Sequence, residues 1–171
     1  MYSKNEWGQL KKVVVGIADN ARIPEVDASL RHINYADITD ELDIPTGKYP
    51  QIVVDEANED LETFADFLKN EGAEVVRPDI TDCKYYNYCP RDSVIVYKDK
   101  AIATPMPLRA RRNEYQAYER HLENVHPYDI IRSDELYNTK CLGDPDILAL
   151  TEAEPAFDAA NVLRANDDLL Y

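Results

Sequence analysis

The chain has 171 residues, enough for one ordinary domain with a real core. Apolar residues make up 44% and charged residues 30%, a folded rather than a disordered balance. Lys and Arg number 19 against 33 Asp and Glu, and the resulting charge of −14 disfavours a nucleic-acid binder and an anionic membrane surface.

No apolar run approaches a bilayer span, and the opening MYSKNEWGQL lacks the apolar core of a signal peptide. Three cysteines without a C-x-x-C pair indicate neither a disulfide framework nor a zinc ribbon, so a reducing, cytoplasmic setting is expected. An acidic chain still suits cationic ligands, guanidinium compounds among them.

In chain order, Lys12–Ile17 (KVVVGI) predicts a buried strand. Residues 18–49 are irregular, acid-rich and punctuated by Pro24, Pro45 and Gly47, which predicts a long surface excursion, with the acids of Asp37–Asp43 solvated. Leu61, Phe64, Ala65 and Leu68 then form one apolar stripe of a helix, with Asp55 as its expected N-cap and Gly72 at its C′ position. Ala73–Arg77 reads as a strand. A tyrosine-rich loop follows, and then Ser93–Tyr97 and Ala101–Thr104 as a hairpin. A helix is predicted over about Arg112–Glu123, with Tyr115, Tyr118 and Leu122 along one side, and a strand over Tyr128–Arg132. Residues 133–155 are again irregular. Ala160–Arg164 and Asp168–Tyr171 predict a last hairpin.

Two pairs of segments are alike. Phe67–Asp79 resembles His121–Asp134, and Arg91–Ala103 resembles Phe157–Tyr171. The implied unit is strand, strand, helix, strand. Its copies are expected at about residues 5–79 and 90–132, with a partial third over about 155–171. An apolar hairpin left as an edge invites pairing, so a covering second chain or self-association is expected there.

Several ordered segments resemble the glycine amidinotransferase-like family: NEWGQLKKVVVGIADNARIP (Asn5–Pro24), GAEVVRPD (Gly72–Asp79), PRDSVIV (Pro90–Val96), PMPLRARRNEYQAYERHL (Pro105–Leu122), DELYN (Asp134–Asn138) and EPAFDAANVLRANDDLLY (Glu154–Tyr171). This family lies in the guanidino-group-modifying, or pentein, superfamily. The resemblance implies an α/β fold, an α/β-propeller of ββαβ modules of which this chain supplies about two and a half. It implies transfer of an amidino group from arginine to an amine through a cysteine nucleophile and a histidine proton shuttle. No metal and no organic cofactor are implied.

A carboxylate grips the planar guanidinium fork with paired charge-assisted hydrogen bonds. By resemblance Asp92, in PRD, orients the substrate guanidinium. Asp158, in FDAA, is the catalytic acid that also meets the substrate. The competing reading of each is an acid capping a turn. Asn161 departs from relatives that carry FDAAD and removes a negative charge.

The family's histidine and cysteine lie beyond FDAA, and neither is matched here. His32, His121 and His126 fall in other segments, and Cys83, Cys89 and Cys141 read as loop or buried thiols. A second chain carrying the C-terminal modules is therefore expected to complete the site, and this chain alone is expected to be inactive. Arg109, Arg111 and Arg112 form a basic cluster that reads either as a contact for the substrate carboxylate or as a solvated helix start. Tyr85, Tyr86 and Tyr88 read as loop packing or as the lining of an entrance. A non-catalytic guanidine-binding protein and a guanidine hydrolase half are the alternatives.

Overall fold

The computed structural model describes residues 2–79, 82, 84–122, 130–131, 144–150 and 155–166. The described residues form a mixed α/β structure with three small open sheets. Among them no helix is long and apolar enough to cross a membrane.

The first sheet pairs β1 (Lys12–Val14) with β4 (Glu74–Val76) in parallel, Val13 opposite Val75. The connection between them is not a featureless excursion. It holds the antiparallel pair β2 (Arg22–Ile23) and β3 (Gly47–Lys48), the helix α1 (Ala28–Asn34) and a 3-10 turn at Glu41–Asp43. Side-chain caps explain why acid-rich sequence folds here: Asp27 accepts the Leu30 N–H at 2.7 Å and Asp40 accepts the Leu42 N–H at 3.0 Å. The acids of this stretch are therefore partly structural, and Glu41 pairs with Arg31.

The long helix α2 spans Gln51–Asn70. Asp55 is not its N-cap. The helix starts a turn earlier, after Pro50, and Asp55 accepts a hydrogen bond from the Gln51 side chain at 2.8 Å. Gly72 takes the positive φ of +89° that a C′ residue needs. Ala65 is fully buried, but Phe64 and Phe67 are 52% and 57% exposed. The helix packs on β4 with one narrow face, which leaves the flank carrying both phenylalanines open.

A four-residue helix α3 (Pro90–Ser93) leads into the hairpin β5 (Val94–Tyr97) and β6 (Lys100–Ala103). The turn is made by Lys98 at φ 53° and Asp99. β7 (Ile130–Ile131) joins β6 in parallel.

The single helix expected over Arg112–Glu123 is broken. It becomes 3-10 turns at Arg109–Arg111 and Glu114–Ala117, then α4 (Glu119–Leu122). The apolar spacing survives the break: Tyr115, Tyr118 and Leu122 are all at least 95% buried. Leu122 packs on Ala101 and Val94 of the hairpin. The break coincides with a buried side-chain pair described below, which draws Arg111 and Glu114 inward where a regular surface helix would solvate them.

Ala160–Arg164 is not a strand. Residues Ala159–Asn161 form a 3-10 turn because the Asp158 side chain caps it. The expected strand residues 168–171, along with Cys83, Cys141 and His126, lie outside the described residues.

Candidate functional site

The carboxylates singled out in the sequence lie on two short elements that pack together. Asp92 sits in α3, and Asp158 starts the 3-10 turn at Ala159–Asn161; these two elements are in direct contact. One dipeptide at the end of β6 holds both. The Thr104 hydroxyl donates to the Asp92 carbonyl at 3.0 Å, and the Pro105 carbonyl accepts the Phe157 N–H at 3.0 Å. The hydrogen-bonded end of a strand is a rigid place from which to fix two loops. Asp158 is half-buried, and its Oδ1 accepts the Ala160 N–H at 2.9 Å.

Asp92 and Ala159 line a groove of about 1050 Å³. One wall is β1 with the segment before it, and another is β5. Tyr88, Cys89 and Phe64 also face this space.

The loop bearing Tyr85–Cys89 is held by backbone against the segment that follows β1 and against the start of β2. The Ile17 N–H donates to the Asn87 carbonyl at 3.1 Å and the Arg22 N–H to the Tyr85 carbonyl at 2.7 Å. Gly16 makes this approach possible: a Cβ there would stand 2.4 Å from the Tyr88 Cα.

Behind Asp92 lies a buried ionic cluster. Arg111 and Glu114 have side chains only 5% and 3% exposed. Glu114 grips the guanidinium as a fork: Nε donates to Oε1 and Nη2 to Oε2, both at 2.8 Å. The Ser93 hydroxyl donates to Oε2 as well, at 2.8 Å. The same Nη2 donates to Asp92 Oδ2 at 3.0 Å. The guanidinium also lies over the Tyr86 ring, 4.4 Å from its centroid. Burial by itself would depress the Arg111 pKa, but the hydrogen bonds and charge of Glu114 reverse this and hold it firmly cationic. Burial pushes the Glu114 carboxyl upward against the pull of Arg111 and Ser93. The fork geometry favours the ionised pair. One cation and two carboxylates leave this cluster with a net negative charge, and Asp92 carries its exposed edge.

The basic residues thus occupy separate places. Arg111 is turned inward, with internal partners for Nε and Nη2. Arg109 is 13% exposed, pairs with Asp27 at 3.3 Å, and donates to the Asp144 and Ile147 carbonyls. Arg112 is half-buried. The tyrosines serve packing first: Tyr85 is buried with Leu30 and Leu108, and Tyr86 stacks on Tyr88 with centroids 4.2 Å apart. Burial raises all three phenols, that of Tyr85 to about 12, so they stay neutral beside Arg111.

Cys89 lines the groove but is a poor nucleophile. Burial, with Asp92 nearby, raises its thiol to about 11. His121 points elsewhere, its Nε2 2.7 Å from the Arg77 carbonyl, and His32 is exposed. Among the described residues no group of three or more His, Cys, Asp or Glu could hold a metal ion.

Glu114 was not singled out in the sequence. The available signal was its charge three residues after Arg111, the spacing of a helical ion pair. Surface pairs share that spacing, so it does not announce burial.

Comparison with known proteins draws these features together. No protein-family model matches the chain. An inosamine-phosphate amidinotransferase of Streptomyces glaucescens is 36% identical over 191 residues, covering 98% of this chain and 53% of that protein. The mitochondrial glycine amidinotransferase of Gallus gallus is 32% identical over 198 residues, covering 98% of this chain and 47% of that one. The solved inosamine-phosphate amidinotransferase of Streptomyces griseus superposes with a TM-score of 0.79 at 34% identity, over 95% of this chain and 52% of that one. The chain corresponds to an N-terminal part of the amidinotransferase family. It spans about half the length of the curated relatives it matches. A dimethylarginine dimethylaminohydrolase superposes with a TM-score of 0.52 at 14% identity, a likeness of fold alone.

Proposed function

We infer that this chain is the substrate-gripping part of an arginine:amine amidinotransferase, with Asp92 and Asp158 holding the guanidinium of arginine or a related guanidino compound. The observation that carries this reading is the packing of α3 against the turn headed by Asp158, at a groove that Asp92 lines. Both acids stand in the motifs that resemble the family. A carboxylate on the groove, Asp92, and a second, Asp158, on the element packed against α3 suit a planar cation.

In this reading residues 5–79, 90–132 and 155–171 are two and a half modules of an α/β-propeller. A second chain supplies the remaining modules, with the cysteine and the histidine. The cysteine thiolate forms a bond to the guanidino carbon. The carbon–nitrogen bond to ornithine breaks, and the histidine hands a proton to that leaving amine. The acceptor amine then attacks the same carbon, gives up a proton to the histidine, displaces the cysteine sulfur as thiolate and takes the amidino group. Asp92 and Asp158 keep the carbon in place through both displacements. The raised thiol of Cys89 supports assigning the nucleophile to another chain. The open flank of α2, with Phe64 and Phe67 more than half exposed, supports a partner surface beside the groove.

The test is to recover the chain from its native lysate with whatever binds it stoichiometrically, then assay arginine with amines. The expected result is no ornithine from the chain alone. Mixing it with a partner bearing His and Cys should give ornithine in step with the amidinated amine. Turnover by the chain alone would refute the division of labour. Arginine binding with no such partner would leave the guanidine-binding reading in its place.

A further inference from the structure

We propose that Arg111 and Glu114 are positioning residues for Asp92 rather than contacts for the substrate. This rests on the reading of Asp92 as a guanidinium-gripping carboxylate. Glu114 fixes both the place and the plane of the Arg111 guanidinium, because Nε and Nη2 each donate to one of its oxygens at 2.8 Å. Tyr86 supports the same plane from one face, 4.4 Å from the guanidinium. Ser93 fixes Glu114 in turn, by donating to Oε2 at 2.8 Å. With its guanidinium so held, Arg111 presents Nη2 to Asp92 Oδ2 at 3.0 Å.

The Asp92 side chain is therefore held from behind while 22% of its surface stays exposed. A carboxylate locked in one rotamer offers its remaining lone pairs in one plane. That matters for a planar fork, which needs two in-plane hydrogen bonds, and little for a tetrahedral ammonium, which accepts many approach angles. The cluster thus acts as a selector of guanidinium over ammonium. A solvated basic patch would do neither, and a direct contact with a substrate carboxylate would need Arg111 to leave a site in which its side chain is 95% covered.

The experiment compares the 171-residue chain with Ser93→Ala and Glu114→Asp, both of which keep every charge. The first readout is the three-bond couplings that report the Asp92 χ1 rotamer by NMR. The second is the dissociation constants for arginine and for lysine. The native chain should show one Asp92 rotamer, and the variants averaged couplings. Arginine binding should weaken about fivefold, the net worth of one hydrogen bond, while lysine binding changes less than about twofold. A cluster that only stabilises the fold would move neither the couplings nor the arginine-to-lysine ratio. Unchanged Asp92 couplings in a folded variant would overturn the proposal. If Glu114→Asp does not fold, Ser93→Ala decides alone. If the native chain binds no arginine, the guanidinium-gripping reading fails, and the couplings still decide whether the cluster orders Asp92.

Discussion

Replacing Arg111 by methionine removes the one cation from a cluster in which Glu114 is 3% exposed and Asp92 22% exposed. Glu114 would keep only the Ser93 hydroxyl from its present hydrogen-bond set. Stranding a buried carboxylate in this way costs about 3–5 kcal/mol. For a domain of this size that corresponds to a fall in Tm of roughly 6–20 °C. The double variant Arg111→Met/Glu114→Leu removes both charges and should recover most of the loss, because an apolar pair of similar volume is close to neutral in such a site. Asp92, which is partly exposed, can turn to water, and only the Ser93 hydroxyl loses its acceptor, at a cost of about 1 kcal/mol. Urea unfolding followed by circular dichroism measures both variants, with an unchanged m-value as the check that the unfolded state is comparable. The reasoning is refuted if Arg111→Met costs less than about 1 kcal/mol, the range of a solvated surface pair. It is refuted equally if the double variant is as unstable as the single one.

Gly16→Ala should cost about 3 kcal/mol or prevent folding, since the new Cβ would meet the Tyr88 backbone at 2.4 Å, and denaturant unfolding reads this directly. Asp27→Ala removes both the cap of α1 and the partner of Arg109, and should cost about 1–2 kcal/mol by the same assay. With its thiol at about 11, Cys89 should react with iodoacetamide at pH 8 roughly a hundredfold more slowly than an ordinary thiol, as peptide mapping by mass spectrometry would show. Because the folded-state value is raised, the stability linked to this thiol is present below its unfolded value and is lost as pH climbs through about 11.

The parts legible in the sequence were those whose signal is local. The β-branched run at Lys12, the glycine at 72 and the spacing of Tyr115, Tyr118 and Leu122 each act within a few residues, and each corresponds to a structural feature at or near its expected place. What escaped depends on partners far along the chain. The helix expected over 112–123 is broken into a 3-10 turn at Glu114–Ala117 and a helix at Glu119–Leu122, beside the buried pair of Arg111 and Glu114 that Tyr86, Asp92 and Ser93 hold in place. Phe64 fits the apolar stripe by spacing, yet it is 52% exposed and faces the groove, away from the face that α2 packs on β4. The acids at 27 and 40 read as solvated or unremarked charges, while the structure uses them as helix caps. Asp92 and Asp158 were legible as motif residues. Their common anchoring by Thr104 and Pro105 was not, since it depends on one hydrogen bond reaching 12 residues back to Asp92 and another reaching about fifty residues forward to Phe157.

Asp92 on the groove and Asp158 on the element packed beside it are proposed to grip a guanidinium together. Isothermal titration of the chain with arginine, and with citrulline as its uncharged counterpart of nearly the same shape, tests this most directly. The account predicts that arginine binds and citrulline does not, and that Asp92→Asn and Asp158→Asn each abolish the difference. Equal binding of both ligands, or arginine binding untouched by either substitution, would contradict it.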